Sequence, residues 1–334
     1  MSAADDWRPS ASAERLRQRA ALLQRVREFF AARALTEVDT PLVVNAPVSD
    51  LHIHSATVRL GTDPAAGAAA APLYLHTSPE YAMKRLLAAG SGDIYQICHV
   101  VRGFECGRLH NPEFTLIEWY RVGFSLAGLM DEVEALVREL LGANAPAASE
   151  RLSYRDAFLR ELGLDPLTAP ETALAQAAQP LALGGARVTS ATGPGMSRDD
   201  WLELLMGAIV GPRLGKGTLT FVHSYPASQA ALARLDPRDP RVAQRFELYC
   251  GGIELANGFH ELASAAEQRA RFEADNLQRR RLGLPVSPLD ERLLAALSQL
   301  PDCAGVALGF DRTLMLAVGA VSIVEVLAFP TARA

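Results

Sequence analysis

Two strand-like runs, Ile94 to Val101 and residues 114–121, stand on either side of a polar loop carrying Arg102, Glu105, Arg108, His110 and Asn111. Runs joined by so short a loop must pair antiparallel, because parallel neighbours need a crossover of a dozen or more residues. The form recurs downstream, where strands are expected near 246–249 and 253–258, after another at 218–223. Hairpins mixed with helices, rather than a regular βαβ series, predict an α+β fold: an antiparallel sheet flanked by helices.

The helical patterns fill the spaces between. Leu16, Ala20, Leu23, Val26 and Phe30 recur at helical spacing behind Ser10 or Ser12 as cap. An extended segment at 35–39 follows and is halted by Pro41; 43–53 reads as loop and strand, and the alanine- and glycine-rich 61–72 as an exposed hairpin tip or insertion. Ser78-Pro79-Glu80 opens a helix with a cap, a proline in the first turn and a carboxylate, and Gly90 closes it. Further helices are expected over 126–141, 154–162, 261–282 and 288–300, then a glycine-rich turn and a last helix from Phe310. The whole chain, 1–334, reads as a single catalytic domain with a helical insertion at about 143–217, its last helix capped by Ser197.

Composition narrows the function classes. A net charge of −5 argues against extensive binding to a nucleic-acid backbone. No apolar run reaches the roughly 18 residues that span a bilayer, and the polar start of the chain lacks the basic-then-apolar form of a secretory signal. Cys98, Cys106, Cys250 and Cys303 are scattered, so neither a disulfide framework nor a zinc site is expected, and a reducing cytoplasm fits. Of the 33 basic residues only Lys84 and Lys216 are lysine.

Three segments carry chemistry. In RGFECGRLHNPEFTLIEWY, residues 102–120, a hairpin loop presents guanidinium groups suited to gripping a triphosphate; an ordinary polar hairpin is the plainer reading. In RFELYCGGIELANGFHEL, residues 245–262, a two-residue turn at Cys250-Gly251 would set Glu247 directly opposite Glu254. Facing carboxylates repel unless neutralised, and Mg²⁺ carrying nucleotide phosphates would do so. A turn at Gly251-Gly252, with both glutamates solvated, is the alternative. In GVALGFDR, residues 305–312, glycines would allow close backbone approach to a ligand, with Arg312 in the first turn of the next helix.

In this order and wording the segments resemble motif 2, the acidic strands and motif 3 of class II aminoacyl-tRNA synthetases, and LTEVDTP at 35–41 looks like the end of motif 1. Within the class the text is closest to lysyl-tRNA synthetase, in TSPEYAMKRL, HNPEFT with EWY, and GIELANGFHEL. The chain begins almost at motif 1, leaving no room for an anticodon-binding domain. That combination, with YPASQ at 225–229 and PDCAGVALGFDR, resembles the elongation factor P lysine ligases. The resemblance implies an AMP-forming ligase that uses ATP and Mg²⁺ to adenylate (R)-β-lysine or lysine. It implies transfer to a lysine side chain of elongation factor P, in the cytoplasm, by a homodimer formed through the first helix and motif 1. Neither a membrane nor tRNA is an expected partner.

The resemblance also assigns roles. Arg102 would contact the α-phosphate under attack and Arg312 would lie on or near the nucleotide, these two being the catalytic pair. Gly103, Phe104, Glu105, His110, Asn111, Leu248 and Gly309 would complete the ATP site, and Glu247 and Glu254 would hold Mg²⁺. Ser78, Pro79, Glu80, Tyr120, Glu254, Asn257, Glu261 and Ala307 would bind the amino acid, with Glu80, Tyr120 and Glu261 at its side-chain ammonium and Asn257 helping at the other end. Phe104 departs from the class, which has glutamate there. Ala307 replaces the glycine of lysyl-tRNA synthetases, a change that reshapes the pocket and suits a β-amino substrate. His52 and His54 read as structural rather than as a metal pair. A tRNA-charging enzyme and a non-catalytic paralogue are the rival readings.

Overall fold

In the computed structural model, which describes residues 7–60, 72–183 and 196–334, the chain forms two units. The first is Met1–Ala145 with Glu261–Ala334, and the second is Pro146–His260. The hairpin tip expected at 61–72 lies outside the described residues but for Pro72.

The sheet of the first unit runs Thr36–Glu37, Ile94–Val101, Glu113–Val122, Cys303–Gly309. Its first pairing is parallel and the other two are antiparallel. Side chains alternate across a strand, and one face carries Tyr95 opposite Trp119. Against that face packs the first helix, Ala13–Ala31, capped by the Ser12 side chain accepting from the Arg15 amide. Phe30 stacks on Tyr95 at 4.4 Å between ring centres and meets Trp119 at 5.2 Å. The helix buries Leu22, Val26, Phe29 and Phe30, while Leu16 and Leu23 are half-buried and Ala20 is exposed, so its inner stripe is rotated from the expected one. The helix Leu126–Leu141 has the expected bounds, with Ser125 as cap.

The opposite face is laid out in rows. Gln96, Glu118 and Ala307 form one row across three strands, Ile94, Tyr120 and Gly305 the next, and Cys98, Leu116 and Gly309 a third. Residues 303–309, expected as a glycine-rich turn, are therefore a strand, and the helix Phe310–Ala317 starts directly from its end. The helix Glu80–Ala88 follows the Ser78-Pro79 segment.

The second unit is also dominated by antiparallel pairs. Its strands run Ile253–His260, Asp239–Cys250, Thr218–Pro226, Ala148–Ser153, the last pairing being parallel. Helices Tyr154–Leu162, Glu171–Leu183 and Arg198–Leu205 supply its core, with Tyr154, Phe158, Leu202, Leu205 and Val210 buried together. Ser197 caps the third of these helices in a reciprocal capping box with Asp200. The strand at Ala148–Ser153 shows that the 143–217 region is not wholly helical.

Candidate active site

The rows of the first unit end in a buried cluster of charge. Glu80 and Lys84 lie one turn apart on their helix, and the Lys84 ammonium is 2.7 Å from Glu80 and 2.6 Å from Glu261. Glu118 accepts from Ser78 Oγ and from the Tyr120 hydroxyl, each at 2.7 Å. Ser78 Oγ also accepts from the Glu80 amide at 3.0 Å, so one hydroxyl opens the helix and orients a pocket carboxylate. Glu118 and Glu261 are 2% and 4% exposed. One oxygen of Glu261, Oε1, is buried and accepts no hydrogen bond.

Burial governs protonation here. It raises the Glu118 carboxyl to about 7, aided by neighbouring Glu80. It raises Glu261 to about 8, against the pull of Lys84. Burial works against the Lys84 ammonium too, but Glu261 and Glu80 overcome it and hold the group protonated. The Tyr120 phenol is pushed well above its ordinary value by burial and by Glu118, and is a permanent donor.

Gly305 makes the cluster possible. A Cβ on it would stand 2.2 Å from Tyr120 Cε1 and 2.6 Å from Glu261 Oε1. The glycine therefore clears space for a protein ring and carboxylate, where close approach to a ligand was expected. Ala307, one row along beside Glu118, is half-buried.

The loop between the two long strands brings the expected phosphate-binding groups together. Arg102 donates to the Thr77 carbonyl at 3.2 Å, lies 3.9 Å from Glu105 and sits 5.1 Å from the Phe114 ring centre. Arg312 reaches His110 Nε2 at 2.5 Å and donates to the Leu109 carbonyl. Desolvation and then Arg312 lower the His110 pKa, so its imidazole is neutral at neutral pH. Asn111 holds the loop's shape: its amide donates to the Glu113 carbonyl and accepts from the Thr331 amide. Asp311 accepts from the Thr115 amide at 2.7 Å and pairs with Arg19, which anchors the helix that carries Arg312. Phe104 has φ +65 and is 88% exposed, with its ring edge on His54. His54 gives its carbonyl to the Gly103 amide, and the His52 amide donates to Asp50.

In the second unit, the acidic hairpin takes the second of the two registers open to it. Cys250 pairs with Ile253, so the turn is Gly251-Gly252, with φ of +62 and +80. A two-residue turn of this kind needs positive φ at both positions, which only the two glycines meet without strain. Glu247 pairs with Asn257, and Glu254 with Tyr249, because an irregularity between Leu248 and Tyr249 leaves Leu255 as an extra residue. That extra residue keeps Glu247, Tyr249, Glu254 and Asn257 on one face, although the glutamates do not face each other. Glu247 is held from both sides, by Arg245 at 2.5 Å and the Tyr249 hydroxyl at 2.6 Å. Arg245 also donates to the Gln229 carbonyl and to Asn257, and lies over the Tyr225 ring at 4.4 Å. The YPASQ segment thus anchors the arginine that orients the acid. A carboxylate offers about four lone-pair sites, so Glu247 retains capacity for a cation beside these two donors. Two carboxylates on one face suit Mg²⁺, which takes one or two carboxylates with phosphate oxygens. Among the described residues no group of three or more histidine, cysteine or acidic side chains is arranged for a metal.

Sequence reading missed Glu118, Lys84 and Arg245 as site residues. Each had a signal: Glu118 shares the strand face of Tyr120, Lys84 stands four residues from Glu80, and Arg245 stands two from Glu247.

A strand-built acid pocket beside a loop with Arg102, followed by a strand-to-helix junction with Arg312, defines a class II synthetase core. The model of tRNA synthetases class II (D, K and N) matches residues 3–333, and the chain belongs to that family, whose reaction uses ATP. A relative from Vibrio cholerae serotype O1, named elongation factor P--(R)-beta-lysine ligase, is 51% identical over 331 residues, 98% of this chain and 99% of its own. Relatives of the same name from Hamiltonella defensa and Salmonella typhi are each 49% identical, with both chains covered in full.

Proposed function

We propose that this protein is an ATP-dependent ligase that adenylates (R)-β-lysine, or lysine, and transfers it to a lysine side chain of elongation factor P. The observation that carries the reading is the buried cluster of Glu80, Glu118, Glu261 and Tyr120, whose acids exceed its single ammonium, Lys84. Such a pocket suits a substrate with amino groups at both ends. The full-length relatives, by their name, act on that acceptor with that amino acid.

The residues divide the work as follows. Glu261, Glu118 and Tyr120 receive one ammonium group, and Glu80, beside Ser78 and Pro79, receives the other. Arg102 takes up the charge that builds on the α-phosphoryl group as the substrate carboxylate attacks, the point at which a fixed guanidinium accelerates the step most. Arg312, held by neutral His110, orients the nucleotide with Gly103, Phe104, Glu105, Asn111 and Gly309. Glu247 and Glu254 would hold Mg²⁺, which neutralises phosphate charge when bound. Breakdown of the adenylate by the acceptor amine forms the amide and releases AMP. Ala307, beside Glu118, narrows the pocket where a shifted amino group must fit. We further propose a single catalytic domain with an insertion at about 143–217, a homodimer, and a cytoplasmic setting, which four free cysteines favour. Among the described residues no helix is long and apolar enough to cross a membrane.

The test offers the protein ATP, Mg²⁺ and labelled (R)-β-lysine or lysine, with elongation factor P and lysine tRNA together. Label on elongation factor P, with β-lysine preferred, is expected. Label on the tRNA instead would replace this reading with a synthetase. Arg102→Ala and Glu254→Ala should both lose ATP–pyrophosphate exchange while remaining folded, and near-normal exchange in either would refute the site assignment.

A further inference from the structure

With 33 basic residues and only two lysines, this chain uses arginine almost wherever it needs a cation. Lys216 is exposed at a turn and donates to the Gly251 carbonyl. Lys84 is the other, and its side chain is 1% exposed between two carboxylates. Its compact ammonium, a point charge with rotatable donors, reaches both at once. Glu80, Glu118 and Glu261 carry three negative charges when ionised, and Lys84 cancels one. The two that remain equal the number of ammonium groups on a diamino acid. Burying charge without a partner is costly, so a pocket with this surplus favours an occupant that supplies both.

We propose that Lys84 is a positioning residue that sets the pocket's charge, leaving two buried carboxylates for a doubly ammonium-bearing amino acid and excluding amino acids with one. This rests on the diamino acid reading above. The groups facing Lys84 are Glu80 on its own helix, Glu118 and Tyr120 on the central strand, and Glu261 on the segment after the acidic hairpin. Near them, burial holds the Cys98 thiol, raised to about 12, and the Tyr81 phenol in their neutral forms. Burial also makes the free pocket retain protons on Glu118 and Glu261 near neutral pH, which the two ammonium groups of an incoming diamino acid must displace.

Calorimetric titration of the wild-type protein with lysine and (R)-β-lysine at pH 7, in two buffers of different ionisation enthalpy, counts those protons. Net release is expected for both ligands, with no measurable binding of norleucine, which lacks the second ammonium. Lys84→Met removes the internal cation, so the acids hold their protons to higher pH. Its KM should rise about tenfold at pH 7 for each pH unit by which the profile moves upward, with kcat within twofold of wild type. A merely structural role would lower stability and leave the shape of the KM–pH profile unchanged, which would overturn the proposal. Binding by the wild type without proton release, or equal binding of norleucine, overturns it even if Lys84→Met fails to fold. Absence of any heat with either diamino acid overturns the amino-acid reading itself, and this proposal with it.

Discussion

Gly305→Ala adds one methyl group at the most crowded point of the pocket. The new Cβ would lie 2.2 Å from Tyr120 Cε1, 2.4 Å from Cδ1 and 2.6 Å from Glu261 Oε1. Gly305 has no positive φ, so alanine meets no backbone strain and the whole effect is steric. Neither neighbour can yield cheaply. Tyr120 is 2% exposed and tethered through its hydroxyl to Glu118 at 2.7 Å, while Glu261 is tied to Lys84 at 2.6 Å. Overpacking of a tight core costs about 1–3 kcal/mol. Loss of a hydrogen bond to a charged group, if the ring swings aside, adds about 1.5–3 kcal/mol. Denaturant unfolding should therefore show a loss of about 2.5–6 kcal/mol in the ligand-free protein, summed from these two contributions. In ATP–pyrophosphate exchange the displaced acids should raise KM for the amino acid by about tenfold or more, since about 1.4 kcal/mol is tenfold in affinity. KM for ATP should hold. A Gly305→Ala protein with wild-type stability and KM would show that the pocket relaxes freely and that Gly305 is not what admits Tyr120 and Glu261.

The ligand-free protein should lose stability as pH rises from about 5 to 8. Glu118 and Glu261 keep their protons when folded up to about 7 and 8, whereas the unfolded chain releases them near the ordinary value of 4.5. Their contribution is full below that value and fades as pH climbs through the folded range, and a melting temperature that rises over this interval would refute it. Arg245→Met leaves Glu247 buried without its cation and should destabilise the second unit by about 3–5 kcal/mol, as measured by denaturant unfolding. If only activity falls, the arginine is not structural. Arg312→Ala should raise the pKa of His110, since the guanidinium is one of the groups holding it down. An NMR titration of that imidazole unmoved by the substitution would contradict the pairing.

The hairpin at 94–122 and the helix at 126–141 were legible because their signals are local: apolar runs broken by a polar loop, and a serine cap before an amphipathic stretch. The strand Ala148–Ser153 carried no such signal. Its residues are exposed or half-buried throughout, and it pairs in parallel with Thr218–Pro226, a partner some seventy residues away. The register of the acidic hairpin depended on which two residues turn and on one extra residue, Leu255, and a shift of one place moves every side chain to the other face. Either register leaves the two glutamates on one face, because the irregularity returns Glu254 to the face of Glu247.

Lys84 escaped notice and Gly305 was expected to face a ligand rather than protein side chains, whereas Arg102 and Glu261 stood out at once. Arg102 and Glu261 belong to motifs whose spelling points at a ligand. Lys84 and Gly305 serve other side chains: one holds two carboxylates in place, and the other gives up its own volume to a ring and an acid. Such support is invisible in spacing, because its partners lie on different elements and meet only when the strands pair. The helix at Glu80–Ala88, the strand at Glu113–Val122 and the segment at Glu261 each contribute part of one charge cluster, and Gly305 on the strand Cys303–Gly309 leaves it room. Under the proposed function, specificity for a diamino acid is then a property of their summed charge rather than of any one contact. A single neutralising change at any of the three carboxylates should therefore weaken binding of the amino acid while leaving the nucleotide's affinity intact.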